Sequence, residues 1–271
     1  MECDTRYPIM MIHGVAFRDR KHICYWGRIP AALKARGATI YYGQQDGWGT
    51  IEYNAGVLKD NINKILDDTG CGKINIIAHS KGGLDARCMI SSYEMADKVA
   101  SLTTISTPHR GSVMIDRLCR APKWVFRAIA FFVNVLFRLL GDKKPDFFTA
   151  SRQLSAVLME GFNDQNPDVP GVYYQSYAGA MKSPRSDIIL SLPNLIISRL
   201  DGENDGLVTL TSAEWTNFKG VLRGATRRGI SHADEIDARR RNYTKKLSDS
   251  GISDIREFYI EVVSGLKKMG L

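Results

Sequence analysis

No two cysteines in this chain form a CxxC pair, and the five present, Cys3, Cys24, Cys71, Cys88 and Cys119, are an odd number. Zinc-ribbon and zinc-finger readings are therefore set aside, and at least one thiol has no partner within the chain. Free thiols fit a reducing compartment. The opening stretch MECDTRYPIMMIHG lacks a basic region followed by a long apolar run and a cleavage site. It does not read as a signal peptide, so the expectation is a cytoplasmic protein, or a secreted one where a leader precedes this stretch. No zinc-finger spacing or basic heptad helix suggests a nucleic-acid partner. With no Pro/Ser-rich linker and no internal repeat, a single domain over residues 1–271 is expected.

Hydrophobic residues make up 44% and charged residues 24% of the 271 positions, enough for one large domain with a sizeable core. The formal net charge of +8 favours acidic partners such as anionic lipid surfaces or acidic substrates, against the plain alternative of a solvated basic face.

Short apolar runs recur: YPIMMI (7–12), ATIYY (38–42), KINIIA (73–78), VASLTTIS (99–106) and GVYYQSYAG (171–179). They read as buried strands. Between them, Ile51, Ala55, Leu58, Ile62 and Ile65 fall at helical steps, and Leu84 to Tyr93 is also helix-like. Strands alternating with helices predict an α/β fold with a mostly parallel sheet covered on both faces.

Residues 110–148 break that alternation with KWVFRAIAFFVNVLFRLLG. Arg127 and Arg138 lie inside the run, which argues against a transmembrane span. Arg120, Lys123, Arg127, Asn134 and Arg138 fall on one narrow polar stripe of a helix, with apolar residues around the rest. The expectation is an amphipathic helix or helix pair lying over the domain.

The strand KINIIA ends in AHSKG, a lone serine among small residues before a helical stretch. A serine on a sharp strand-to-helix turn is the arrangement of an activated nucleophile, which needs a base and an orienting acid. Ala78 stands where a glycine is usual at the start of such a turn. If the chain order is serine, acid, histidine, only His109 and His232 follow Ser80. His109 has no suitable acid between strand and loop except Glu94 and Asp97, so His232 in SHADEID is the expected general base. RLDGENDGLVT supplies Asp201, Glu203 and Asp205, of which Asp205, on the turn before Leu207 and Val208, is preferred. The oxyanion donors expected are the backbone N–H groups of Lys81, which follows the serine, and Val15, just past Gly14 in HGVAF. His13 reads as a loop anchor, and the Lys81 side chain as one free to meet anionic head groups or water.

YPIMMIHGVAF, INIIAHSKGGLDAR, LTTISTPHRGS, ENDGLVT and SHADEID, in that order from about Tyr7 to Asp237, resemble the bacterial triacylglycerol lipases of the Pseudomonas type in the α/β-hydrolase superfamily. The resemblance implies an α/β-hydrolase fold, here without the superfamily's usual N-terminal strand pair. It implies Ser80, Asp205 and His232 as a triad, Val15 and Lys81 as oxyanion donors, and a helical lid or cap over residues 111–152. Closed, such a lid would hide its apolar face over the cleft; open, it would offer that face to a lipid interface. The implied activity is a serine carboxylic-ester hydrolase, most concretely a lipase cleaving acylglycerol esters through an acyl-enzyme and needing no cofactor for its chemistry. An esterase, thioesterase or acyltransferase with the same triad, or a non-catalytic lipid-binding module, is the alternative. The family's structural calcium would fall on Asp234 and, more loosely, Asp187, with Ala238 where a glutamine oxygen belongs. Oligomeric state is not legible.

Overall fold

The computed structural model describes residues 1–16, 18, 24–120, 122–224, 228–241 and 253–271. Phe17 of the HGVAF motif and His22 lie outside the described residues.

Six strands form the sheet: β1 (Ile9–Ile12), β2 (Ile40–Tyr42), β3 (Ile74–His79), β4 (Val99–Ile105), β5 (Tyr173–Gly179) and β6 (Phe218–Leu222). All are parallel, in the order β2-β1-β3-β4-β5-β6. Alternation along the strands splits the core. Ile9, Met11 and Ile77 point to one face, where α1 (Ile29–Lys34) and α10 (Ile255–Lys268) cover them with Leu33, Tyr259 and Val263. Met10, Ile12, Ile76 and Ala78 point to the other, beneath α2 (Ile51–Thr69) and α3 (Lys81–Ser92). Both faces are buried, which is why β1, β3 and β4 are continuous apolar or small-residue runs.

The helices start and stop for local reasons. The Thr50 hydroxyl caps α2 by accepting from Tyr53 N–H at 3.2 Å, and Gly70 ends it in the left-handed conformation, φ 69°. Ile51, Ala55, Leu58 and Ile62 form its buried stripe, as their spacing predicts. Helix α3 begins at Lys81, three residues before the sequence suggests. The sequence gives no sign of β6: FKGVL carries a lysine and a glycine and is mostly half-exposed at the sheet's edge.

The chain runs from β1 outward to β2, then returns past β1 to β3. The strand order therefore reverses between β1 and β3, and the crevice at their carboxyl ends is where open parallel sheets place ligands. The loop after β1 and the β3–α3 turn meet there.

Between β4 and β5 stand α4 (Val113–Cys119), α5 (Lys123–Leu139), α6 (Phe147–Arg152) and α7 (Ala156–Gln165). Helix α5 packs inward through Phe126, whose ring meets Phe147 and Phe148, and through Phe137 against Trp48. Asn134, on the expected polar stripe, is turned inward and accepts from Phe147 N–H at 2.8 Å. The larger apolar arc of α5 faces solvent. Among the described residues no helix is long and apolar enough to cross a membrane. After β5 come α8 (Ser191–Leu200) and α9 (Leu210–Ala213).

Close approach at the crevice depends on glycine. A Cβ on Gly82 would stand 2.3 Å from the backbone oxygen of His13. Gly82→Ala should therefore push α3 off the β1 loop and cost about 1–3 kcal/mol, read as a lowered urea-unfolding midpoint with an unchanged slope.

Candidate active site

Ser80 sits between the end of β3 and the first turn of α3 with φ 54° and ψ −135°, a conformation a residue with a side chain rarely adopts. Its N–H donates to Ile105 O at 3.0 Å, so the sheet's own ladder holds the turn. Gly14 allows the β1 loop to pass beside it, since an added Cβ there would lie 2.8 Å from Ser80 Cβ. Lys81 is the first residue of α3, where a backbone N–H has no partner within the helix and the helix dipole favours negative charge. Val15 follows Gly14 in the loop alongside, so both expected donor residues flank Ser80.

His13 anchors that loop. Its Nδ1 lies 2.7 Å from Gly14 O and its Nε2 3.0 Å from Gln45 O, while the Gln45 side-chain amide donates to His13 O at 2.8 Å. Burial lowers the imidazole pKa to about 4, so the ring is neutral and donates from one nitrogen.

The Lys81 side chain does not reach solvent or a head group. It is 1% exposed, and its ammonium donates to Asp85 Oδ1 at 2.6 Å, four residues on along α3. Asn54 of α2 donates to the other Asp85 oxygen at 2.8 Å. Burial lifts the Asp85 pKa to about 6 against the opposing pull of Lys81. The lysine was expected outside because sequence cannot reveal that α2 covers this face of α3.

The tertiary structure decides among the three candidate acids. Asp205 is buried and accepts from His232 Nδ1–H at 2.7 Å. Its other oxygen accepts from Leu207 and Val208 N–H, each at 2.8 Å, and His232 N–H donates to Asp205 O at 2.9 Å. Burial alone would raise this carboxyl, but the His232 charge and these hydrogen bonds hold it below its ordinary value. Asp201 accepts instead from the Thr209 hydroxyl, and Glu203 is exposed and paired with Arg223. His109 is buried against Trp215, its rings stacked at 5.1 Å, with Arg87 and Thr104 on its two nitrogens. It is a structural histidine.

Beside His232 lies a polar cluster that the sequence reading passes over. The ring of His79, the residue before the serine, is 4.3 Å from that of His232. His79 Nε2 is 2.8 Å from Glu235 Oε2, and its Nδ1 is 2.8 Å from the Tyr25 hydroxyl. The Ser106 hydroxyl donates to Glu235 Oε1 at 2.8 Å. Glu235 Oε2 also lies 3.8 Å from His232 Nδ1. Burial, and then the nearby Asp205 charge, push the Glu235 pKa well above its ordinary value. His79 is held neutral by burial and by His232. Where Glu235 carries its proton, it donates to His79 Nε2, and His79 Nδ1–H donates to Tyr25. The three-residue step from His232 to Glu235 was the available signal, and chain order alone gave no reason to weigh it.

Asp187 and Asp234 also come together. The Ser231 hydroxyl lies 3.2 Å from one and 2.9 Å from the other, one residue before His232. Arg239 grips Asp187 with two hydrogen bonds, at 2.9 and 3.0 Å, and Arg241 reaches Asp234 at 3.3 Å. One buried oxygen, Asp234 Oδ1, has no hydrogen-bond partner among the described residues. Calcium takes six to eight oxygen ligands. Here two guanidinium groups stand on the carboxylates, and Ala238 offers no side-chain oxygen, so this donor set does not fit a calcium ion. Its charge is met by arginine.

Two outcomes test these clusters. Glu235 keeps its proton to a higher pH in the folded chain than in the unfolded one. Its contribution to stability is therefore full below about 4.5 and is lost as pH rises toward the folded value. Glu235→Gln keeps a donor and an acceptor in place, so its stability relative to the wild type should grow from pH 5 to pH 8, read by urea unfolding at each pH. Excess EDTA should leave the unfolding midpoint unchanged. Arg239→Ala, which strips a buried carboxylate of its partner, should lower stability by about 1–3 kcal/mol.

Residues 38–185 match the family model for the alpha/beta hydrolase fold. The chain is 30% identical to triacylglycerol lipase 2 of Saccharomyces cerevisiae over 264 residues, 91% of this chain and 74% of that one. It is 30% identical to a triacylglycerol lipase of Vibrio cholerae, covering 86% of this chain and 80% of that one, and 26% identical to one of Pseudomonas fragi, covering 99% and 98%. Among solved structures, the Staphylococcus hyicus lipase superimposes with a TM-score of 0.71 at 17% identity, over 97% of each chain. The sheet order, the strained serine and these similarities agree: the chain belongs to the α/β-hydrolase fold family and is a relative of its triacylglycerol lipases.

Proposed function

We propose that this protein is a serine carboxylic-ester hydrolase that cleaves acylglycerol esters, with Ser80 as nucleophile, His232 as general base and Asp205 as the acid that orients it. The observation that carries the reading is the buried 2.7 Å hydrogen bond from His232 to Asp205, with the His232 ring 4.3 Å from that of His79, the residue before a serine held at φ 54°. That bond fixes the tautomer, with the proton on Nδ1 and the lone pair of Nε2 free to take the serine proton. The names of the relatives, triacylglycerol lipases, support the substrate class.

In the reaction, Ser80 Oγ attacks the ester carbonyl carbon and its proton passes to His232 Nε2. The negative charge on the carbonyl oxygen is met by the backbone N–H groups of Val15 and Lys81, at the start of a helix whose dipole adds to them. Collapse breaks the bond to the alcohol oxygen, which leaves with the proton from His232. A water then attacks the acyl-serine by the same route and releases the acid. The neutral Glu235 keeps a second negative charge away from Asp205 while His232 is positive. These steps as written require no cofactor. The whole chain acts as one catalytic domain, and residues 111–152 serve as its helical cover.

Hydrolysis of p-nitrophenyl esters from acetyl to palmitoyl, with and without emulsified triglyceride, tests the reading. Activity should favour long acyl chains and rise when the emulsion is present. Activity confined to short soluble esters would make the protein an esterase under a fixed cover. Ser80→Ala should abolish turnover with the fold intact, and Asp205→Asn should lower kcat by about 10⁴. Turnover surviving in Ser80→Ala would overturn the assignment.

A further inference from the structure

Helix α3 begins without a side-chain cap. The Ser80 hydroxyl makes no capping hydrogen bond, and the proposed reaction needs it free. No acidic residue stands in the first turn. Lys81 opens the helix instead, at the end where the dipole disfavours a cation. Its side chain is buried, which disfavours the charge further. A buried ion pair adds little to stability over an apolar pair of the same volume. Neither helix formation nor stability therefore accounts for a lysine at this position.

What the pair adds is a fixed geometry. The Lys81 ammonium donates to Asp85 Oδ1 at 2.6 Å, which ties the first residue of α3 to the next turn. Asp85 Oδ2 accepts from Asn54 Nδ2 at 2.8 Å, which ties that turn to α2. The Asn54 amide holds Asp46 from both sides, donating to its backbone oxygen at 3.0 Å and accepting from its N–H at 3.2 Å. The neighbours of Asp46 hold the β1 loop in turn. Gln45 donates to His13 O at 2.8 Å, and Ala16 N–H donates to Gly47 O at 3.2 Å. Lys81, Asp85, Asn54 and Asp46 are all buried. This chain of bonds begins at one expected oxyanion donor, Lys81, and ends at His13 and Ala16, which bracket the other, Val15.

We infer that the Lys81 side chain and Asp85 form a positioning pair for the oxyanion hole, holding the first peptide of α3 so that the Lys81 N–H stays aimed at the carbonyl oxygen of the ester. Both side chains act through the backbone. Donors that stabilise a developing charge must be in place before it forms, and a first turn without a cap would otherwise fray. The inference rests on the proposed hydrolase and goes beyond it, since there Lys81 contributes only its backbone N–H.

The test uses Lys81→Met/Asp85→Asn, which removes both charges, keeps an acceptor for Asn54 and leaves the backbone N–H in place. Lys81→Met alone is the second variant, and circular dichroism and the urea midpoint check that each is folded. Hydrolysis of p-nitrophenyl butyrate is compared with that of its thiono analogue, in which sulfur replaces the carbonyl oxygen. Sulfur is the weaker acceptor, so the thiono ester gains less from the N–H donors. Assays at pH 8, above the Asp85 value of about 6, keep the wild-type carboxyl charged. KM should be unchanged and kcat on the oxygen ester lower by about ten- to a hundredfold, less than the loss of one donor outright. The preference for oxygen over sulfur should shrink by the same factor. Hydrogen exchange of the amides of residues 81–85 reads the geometry without turnover and should quicken. A kcat within about twofold of the wild type would overturn the inference, and so would an equal loss on the two esters, the sign of a general disturbance. A wild type inactive on both esters overturns both readings. An active wild type, with exchange and kcat unchanged in the variants, overturns this one alone.

Discussion

The turn at Ser80 is the constraint around which the rest is arranged. A residue with a side chain at φ 54° is strained, and it persists only where the surroundings over-determine it. The ladder bond from Ser80 N–H to Ile105 O supplies part of that support. The packing of α3 on the β1 loop supplies the rest. Gly14, Gly82 and Gly83 are the places where a Cβ would meet Ser80, His13 and Thr107. The serine is thereby raised at the end of β3, and the loop that carries Gly14 and Val15 is brought alongside. The reversal of strand order between β1 and β3 leaves the crevice open at that point.

Around this turn the protein keeps an unusual number of ionisable groups away from water. Asp205 stays charged because two backbone N–H groups and the His232 imidazole compensate its burial. Glu235, a few ångströms away, lacks that compensation and is pushed toward its neutral form. Two carboxyl groups beside one histidine are thus pushed in opposite directions, by their hydrogen-bond donors and not by residue type. Lys81 and Asp85 beneath the turn, and Arg87 on Trp215 further along α3, extend the same pattern of buried charge with a fixed partner.

Arginine has two contrasting uses in this chain. Arg239 and Arg241 are folded back onto Asp187 and Asp234, where they tether the loop that carries His232. Arg127 and Arg138 extend from α5 with no carboxylate partner among the described residues, beside an exposed aromatic arc. The first use fixes the His232 loop from within, and the second leaves charge available outside. Sequence composition gives the total of basic residues and cannot separate the two, because both depend on which carboxylates the fold brings within reach.

Strand positions, the buried stripe of α2, the serine turn and His232 as the histidine that meets Asp205 were legible in the amino-acid sequence. They rest on local rules: period-two and period-3.6 burial, small residues at a tight turn, and chain order. The edge strand β6 was not, because a half-exposed strand carries little periodic signal. Nor were the partner of Lys81, the neutral Glu235 beside His79, and the arginines standing on Asp187 and Asp234. Each of these pairs residues that are remote in sequence or on one face of a loop, and burial and distance are properties of the folded chain alone. The sequence by itself determined where a nucleophile could stand. The tertiary structure decided which acid meets the histidine, which carboxyl keeps its proton and which apolar face of α5 remains in water, since all three depend on what is excluded from solvent.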